Sequence, residues 1–387
     1  MILAFNSGSS TLKFGCFDAG SFRGLARGLI DWGGKEGTAA VLESLRTLEG
    51  AGIISTSGMG CGISAVGHRV VHGGTRFLAS VAIDPEVKRA IRALSDLAPH
   101  HNPAALEVIE AVEELLPAVP QVAVFDTAFF ADLPARSYVY PLPYDWFSRW
   151  GIRRFGFHGI SHNYCTVRSA ELERGEATRN LVICHLGNGC SATAVRHGKA
   201  IATTMGFTPL EGLMMGSRSG SIDPGVLVYV QGKQGLTAED IGDVLNNQSG
   251  LLGVSGISSD FRTVEQAARN GSARAKLALD IYADRVRAAI GSLAVTLGAV
   301  DALIFTGGVG ENSANLRDAV CDGLQCLGVN LDRAKNLLKG ADRDLAAADS
   351  RTRIWVIHTR EELMIARETS RVMGDRSPDQ RPHESVT

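Results

Sequence analysis

Three stretches place small and polar residues directly after a short apolar run: Asn6-Ser-Gly-Ser-Ser-Thr11, His185-Leu-Gly-Asn-Gly-Cys190 and Gly307-Gly-Val-Gly-Glu-Asn312. Loops of this kind present backbone N–H groups where phosphate oxygens can approach closely. None matches the P-loop or a clean G-x-G-x-x-G pattern. Each by itself reads as a plain turn; three in one chain, two of them alike, shift the balance toward nucleotide binding. Lys13 follows the first loop. It could meet a phosphate as a point charge, although on its own it reads as a solvated strand lysine. Arg69 in His68-Arg-Val-Val-His-Gly-Gly74 and Arg218 in Met214-Met-Gly-Ser-Arg-Ser-Gly220 have small residues nearby and little to pack against. Such arginines suit a carboxylate or a transferring phosphoryl group, with a structural ion pair as the equal alternative. Asp126 ends an apolar run and could serve a metal, orient a nucleophile, or cap a helix. Glu361 and Glu362 open a helical pattern, where the dipole favours acids, and either could also approach a metal. His68/His72 and His158/His162 are spaced by four residues. Four-residue spacing can hold zinc, but no H-E-x-x-H frame exists, so hydrogen bonding in a polar cleft is the better reading.

These residues need elements to position them, and the chain supplies an alternation of strands and helices that defines an α/β protein. Strands are expected at Ile2–Phe5, Leu12–Phe17, Ser64–Val71, Val122–Phe125, Leu181–Cys184, Ser191–Val195, Ala200–Thr204, Asp301–Phe305 and Ile354–Ile357. Helices are expected at Pro85–Leu97, Pro103–Leu116, Ser272–Leu297, Ser313–Leu327 and Arg360–Met373, the first two with Pro at the start. The third shows an apolar series from Leu277 to Leu297. A strand, a Gly/Ser/Asn loop and a second strand occur near residue 6 and again near residue 187, a weak sign of duplication. The polar tail from Gly374 is expected to be disordered.

Composition narrows the class. The 387 residues carry 39 Lys or Arg against 41 Asp or Glu, a net charge of −2. That length suggests two domains, or three. A hydrophobic share of 45% excludes a disordered chain. The absence of a basic excess argues against a general nucleic-acid binder. No apolar run nears the length of a bilayer span, and no signal-peptide pattern opens the chain. Seven cysteines without C-x-x-C read as reduced, mostly buried thiols in a cytoplasmic protein.

Taken together, the motifs resemble the acetate kinase family. Asn6-Ser-Gly-Ser-Ser-Thr-Leu-Lys-Phe14 and Gly206-Phe-Thr-Pro-Leu-Glu-Gly-Leu-Met-Met-Gly-Ser-Arg-Ser-Gly220 resemble its two signatures. His68–Gly74, Phe125–Phe129, Arg153–Gly159, His185–Gly189, Ser258–Arg262, Thr306–Asn312 and Glu361–Arg367 follow in family order, to about residue 373. The resemblance implies two duplicated actin-like (ribonuclease H-like) domains with a cleft between them. Domain I would be residues 1–130 plus 363–387; domain II, residues 131–362, would bind nucleotide and dimerise. It implies Mg²⁺-dependent reversible transfer of the ATP γ-phosphoryl group to acetate, giving acetyl phosphate and ADP, in a homodimer. Mn²⁺ would be able to replace Mg²⁺. On that reading Arg69 holds the acetate carboxylate, Arg218 and His158 surround the in-line transition state, and Asp126 is the catalytic carboxylate. Asn6 and Glu361 hold the metal directly or through water. Lys13 and the stretch His185, Leu186, Gly187, Asn188 and Gly189 contact phosphates. Asp260, Phe261 and Arg262, with Gly308, Val309, Gly310, Glu311 and Asn312, form the nucleoside pocket. Val71, Phe157 and Pro209 line the acyl methyl pocket.

The chain departs from the family pattern at five places. Phe130 replaces His, Ser221 replaces Asp, Arg360 replaces Asn, Thr11 replaces Ser, and His100 replaces a Leu that helps line the acyl pocket. None removes a residue assigned to catalysis. A propionate or broader short-chain acyl kinase is the alternative within the enzyme class, because a methylene changes binding by only about 1–3 kcal/mol. A silent nucleotide-binding protein and a zinc hydrolase are the readings from other classes.

Overall fold

The computed structural model describes residues 1–8, 11–33, 36–55, 62–99, 101–173 and 180–374. The chain divides into two units, Met1–Ala131 with the chain from Arg360 onward, and Asp132–Thr359. Arg360, Glu361 and Glu362 therefore go with the first unit and not, as the sequence suggested, with the second; the side chain of Asn6 bonds Glu361 and Glu362. His100 and the tail beyond Gly374 lie outside the described residues.

Unit one is built on strands β1 (Ile2–Ser7), β2 (Thr11–Phe17), β3 (Gly24–Asp31), β4 (Ala65–Val70), β5 (Val81–Ala82) and β6 (Gln121–Phe125). Their order is β3-β2-β1-β4-β6-β5. β1, β4 and β6 run parallel, while β2, β3 and β5 are antiparallel to their neighbours. All six residues of β1 are buried. A strand apolar on both faces must be covered on both. On one side Phe5, Phe14 and Val66 pack with Val41, Leu45 and Leu48 of the helix Gly37–Gly50 and with Val108 and Val112 of the helix Asn102–Leu115. The last helix, Glu361–Gly374, packs against β1 and β4 and buries Leu363, Met364, Ile365 and Ala366.

Unit two repeats the plan with β7 (Asn180–Leu186), β8 (Cys190–Arg196), β9 (Lys199–Thr203), β10 (Ala302–Thr306), β11 (Arg343–Asp344) and β12 (Arg353–Val356). Read from its hairpin side the order is β9-β8-β7-β10-β12-β11. Every pairing direction matches its counterpart in unit one. The duplication weakly marked in sequence is thus complete in topology. The long helix Ala273–Leu297 packs on β7 and β8.

The structure corrects several expectations. Gly307–Asn312 is a short helix, not a loop. Asn6 and Ser7 belong to β1, and His185 and Leu186 to β7, so those loops are shorter than they read. The expected Pro85–Leu97 helix ends at Ala93 before a separate 3₁₀ turn. The expected Ser313–Leu327 helix ends at Cys321, and a 3₁₀ turn follows at Gln325–Leu327. Leu277 faces solvent, and small residues (Ala275, Ala278, Ala283) take its place in the buried stripe. Of the described cysteines five are buried and Cys326 is exposed. No described helix is long and apolar enough to cross a membrane.

Candidate active site

In unit one the parallel strands carry a polar group at each carboxyl end, where open α/β sheets gather ligands. Asn6 lies near the end of β1, Arg69 near the end of β4, and Asp126 directly after β6. Asn6 and Asp126 are almost fully buried, so their polar atoms need partners. Arg69 supplies them. Its Nε and Nη2 donate to Asp126 Oδ2 at 3.1 and 2.6 Å, and its Nη1 donates to Asn6 Oδ1 at 3.0 Å. Asn6 Nδ2 donates onward to Glu361 Oε2 at 2.7 Å and to Glu362 Oε1 at 3.3 Å. Burial alone would lower the Arg69 pKa, but Asp126, Glu361 and Glu362 together raise it, so the guanidinium stays charged. Lys13 stands directly across from Asn6 in the β1–β2 register, exposed. Val71 is buried just past β4. The next residue, His72, is pinned through its backbone by Asn102, whose Oδ1 accepts from His72 N–H and whose Nδ2 donates to His72 C=O, both at 3.1 Å.

In unit two a glycine turn, Gly187-Asn188-Gly189, joins β7 to β8. Gly187 N–H closes it on Gly189 C=O at 3.0 Å. Cys190 Sγ donates to Gly187 C=O at 3.3 Å and lies 2.9 Å from Tyr282 Oη of the long helix, which ties the turn to its support. His158 precedes the helix Gly159–Leu172 with φ +57°, a left-handed conformation rare outside glycine. Its ring stacks on His185 with centroids 4.3 Å apart. A methyl carbon placed on Gly189 would lie 3.1 Å from His158 Nε2 and 3.2 Å from Arg218 Nη2. Glycine is needed here because two charged or polar tips occupy the space. Arg218 Nη1 donates to Pro209 C=O at 2.7 Å, which fixes the guanidinium. Burial pulls the Arg218 pKa down, yet a guanidinium remains charged. Phe157 is buried beside His158 in sequence.

Next to this turn is a cavity of about 780 Å³ whose lining includes Gly187, Asn188, Asp260, Phe261, Gly308 and Asn312. Arg262 and Val309 also line it. Asp260 caps the helix Phe261–Arg269, its carboxylate accepting from Thr263 N–H at 3.0 Å. Gly310 and Glu311 are not among its lining residues. Glu311 Oε1 accepts from Gly307 N–H and Thr359 N–H, both at 3.0 Å, so it shapes the short helix from behind. Leu186 is fully buried under the turn.

Sequence reasoning missed several participants. Ser259, Glu265 and Ser313 line the cavity; their types carry no distinguishing signal. Ser161, His162 and Ser191 hold the stacked histidines. Only the His158/His162 spacing hinted at them. The departures have simple settings. Phe130 is buried edge-on to Phe129, Ser221 Oγ accepts from Gly212 N–H, Thr11 C=O accepts from Gly8 N–H, and Arg360 is exposed.

The chain is similar to known proteins over nearly all of its length. The acetokinase family pattern matches residues 1–367. An acetate kinase of Gloeobacter violaceus is 56% identical over 335 residues, 86% of this chain and 82% of that protein. The crystal structure of Porphyromonas gingivalis acetate kinase superimposes with a TM-score of 0.88 at 39% identity, covering 96% of this chain and 99% of that one. A propionate kinase from Francisella tularensis gives 0.87 at 39% identity with the same coverage. The two six-stranded units with one strand order are the duplicated actin-like fold of these structures. With its fold, its motif order and nearly its whole length accounted for, the chain belongs to the acetokinase family.

Proposed function

We propose that the protein is an ATP:acetate phosphotransferase. An acetate oxygen attacks the γ-phosphorus, the bond from that phosphorus to the β–γ bridging oxygen breaks, and ADP leaves as acetyl phosphate forms. The reverse reaction follows the same path. The observation that carries this reading is the convergence of His158 Nε2 and Arg218 Nη2 on Gly189, one residue from the cavity wall at Asn188. Acceptor and donor are both anionic, so the reaction needs positive charge and alignment more than covalent chemistry.

The remaining roles are those that the family resemblance implies. The cavity between Asp260–Arg262 and Gly308–Asn312 takes the nucleoside. The turn from His185 to Gly189, with Lys13, meets phosphates. Arg69 binds the acetate carboxylate, Asp126 holds and orients that arginine and the acceptor, and Val71, Phe157 and Pro209 face the methyl group. Asn6 Oδ1, near the end of β1, and the Glu361 and Glu362 carboxylates, on the first turn of the last helix, are hard oxygen donors brought together. That set fits Mg²⁺, which keeps several waters and takes one or two carboxylates plus phosphates. Held by these residues, Mg²⁺, or Mn²⁺ in its place, would supply neutralisation of charge on the phosphate oxygens.

The homodimer and the cytoplasmic setting belong to the same reading. The helices Pro224–Gln234 and Ala238–Asn247 bury none of their residues, and Val226, Val228, Tyr229 and Val244 are exposed. A second copy covering them would remove that apolar surface from water.

A short-chain acyl kinase of broader range is the second reading, favoured by equal identity to the propionate kinase structure. Acyl phosphate trapped with hydroxylamine, from Mg-ATP with acetate, propionate or butyrate, decides between them. Strong product with acetate and weak product with butyrate is the expected result; equal kcat/KM for propionate would remove the strict acetate assignment. Arg218→Ala is expected to lose about 10³-fold or more in kcat while still binding ATP. Parent-like turnover in that variant would overturn the site, and no product from any acid with ATP bound would make the protein a silent nucleotide binder.

A further inference from the structure

The four-residue histidine spacing at His158 and His162 has a use other than metal binding. His158 caps the helix Gly159–Leu172 and His162 lies on its first turn, and a single hydroxyl lies between the two rings. Ser191 Oγ, fully buried on β8, is 2.9 Å from His158 Nδ1 and 2.8 Å from His162 Nε2. A second serine serves the neighbouring ring. Ser161 Oγ is 2.8 Å from His185 Nδ1 and accepts from Thr359 Oγ1 at 3.0 Å. Both stacked imidazoles therefore have Nδ1 on a serine. Both present Nε2 to the glycine turn: His185 Nε2 is 3.9 Å from where a methyl on Gly187 would sit, and His158 Nε2 is 3.1 Å from its place on Gly189.

Proton counting gives one self-consistent direction for these bonds. A serine hydroxyl has one proton. Ser161 accepts from Thr359, which leaves its own proton available to His185 Nδ1. His162 is fully enclosed, and burial, with His185 nearby, holds its pKa well below the usual imidazole value. It is neutral and has one ring proton. If that proton is on Nε2, it goes to Ser191 Oγ, and the Ser191 proton goes to His158 Nδ1.

We infer that Ser191 with His162, and Ser161 with Thr359, are positioning residues that lock His158 and His185 as Nε2–H tautomers, both aimed as donors at phosphoryl oxygens over the Gly187–Gly189 turn. The inference rests on the phosphotransfer reading above. The arrangement suits the task, because a neutral imidazole donor adds a hydrogen bond to the phosphoryl group beside the Arg218 cation without a second full charge. It also explains the left-handed backbone at His158: that conformation is strained, and the Ser191 bond helps to hold it.

The test combines kinetics with a spectroscopic signature on the full chain. Ring ¹⁵N shifts from a histidine-labelled sample, assigned with His158→Ala and His185→Ala, distinguish N–H from lone-pair nitrogens. The parent enzyme is expected to show protonated Nε2 and unprotonated Nδ1 on both rings. A protonated Nδ1 on His158 would overturn the proposal, whatever the variants do. Ser191→Ala is expected to give mixed tautomers at His158. Its kcat should fall about 10–100-fold, the range for a lost ring-orienting partner, with KM for ATP within twofold. Parent-like kcat in Ser191→Ala, with His158→Ala inactive, would remove the role of Ser191 and leave the phosphotransfer reading intact. Parent-like kcat in His158→Ala itself would instead remove the reading on which this inference stands.

Discussion

Gly189 is where single atoms decide most. Its missing side chain leaves room for His158 Nε2 and Arg218 Nη2 at 3.1 and 3.2 Å from the vacant position. A methyl there pushes both by a few tenths of an ångström. Gly189→Ala is therefore expected to fold normally, with Tm within a few degrees of the parent. Its kcat should drop about 10–100-fold, since small misplacements near the reacting centre cost up to that order. Stopped-time acyl phosphate assays beside a thermal melt check it; parent-like turnover would mean that the two tips do not act together. Much at this scale was legible in the sequence. Asn6, Arg69, Asp126, Glu361, His158 and Arg218 could be singled out through the family motifs that hold them; by type alone an ion pair, a helix cap or a plain hydrogen bond explained them as well. Ser191 did not stand out, because a serine in a strand looks like any other until the rings on either side are in place, and His162 was marked only by its spacing from His158.

Strands and helices impose their own chemistry. β4 buries His68 fully, stacked on Phe5 of β1 with centroids 5.9 Å apart. Burial pushes the His68 pKa down from 6.5 to about 3. The folded state thus keeps this ring neutral while the unfolded chain protonates it below 6.5. The unfolded state binds more protons in that window, so stability is fully present above pH 6.5 and is lost as pH falls toward 3. The slope approaches about 1.4 kcal/mol per pH unit for this group. Urea midpoints between pH 7 and 4 are expected to fall more steeply for the parent than for His68→Phe; parallel curves would exclude His68 as a source of acid lability. The same logic of burial explains which elements could be read in advance. β1, β7 and β10 are covered on both faces and appear as unbroken apolar runs. β3 is an edge strand with only Ile30 buried and leaves little pattern. The helices at 224–247 bury nothing in their own unit, so no inward stripe marked them.

The whole molecule is one plan used twice, with a complication in unit one: its sheet needs both ends of the chain. The last helix lies so close to β4 that a methyl on Gly67 would sit 2.1 Å from Thr369 Oγ1. It also brings Glu361 to Asn6. Removing residues from Arg360 onward is expected to leave unit one open to protease while Asp132–Thr359 survives. Limited digestion read by mass spectrometry checks this, and equal resistance of both units would show that the helix is dispensable. The order of synthesis follows from the same closure. At roughly 5–20 residues per second, the ribosome makes all of unit two between the two parts of unit one. The first strands therefore wait on the order of tens of seconds with one sheet face uncovered, exposed to holdase chaperones and to neighbouring nascent chains. Unit two, contiguous in sequence, can close while the polypeptide is still attached, whereas the earliest residues made are the last to become protected.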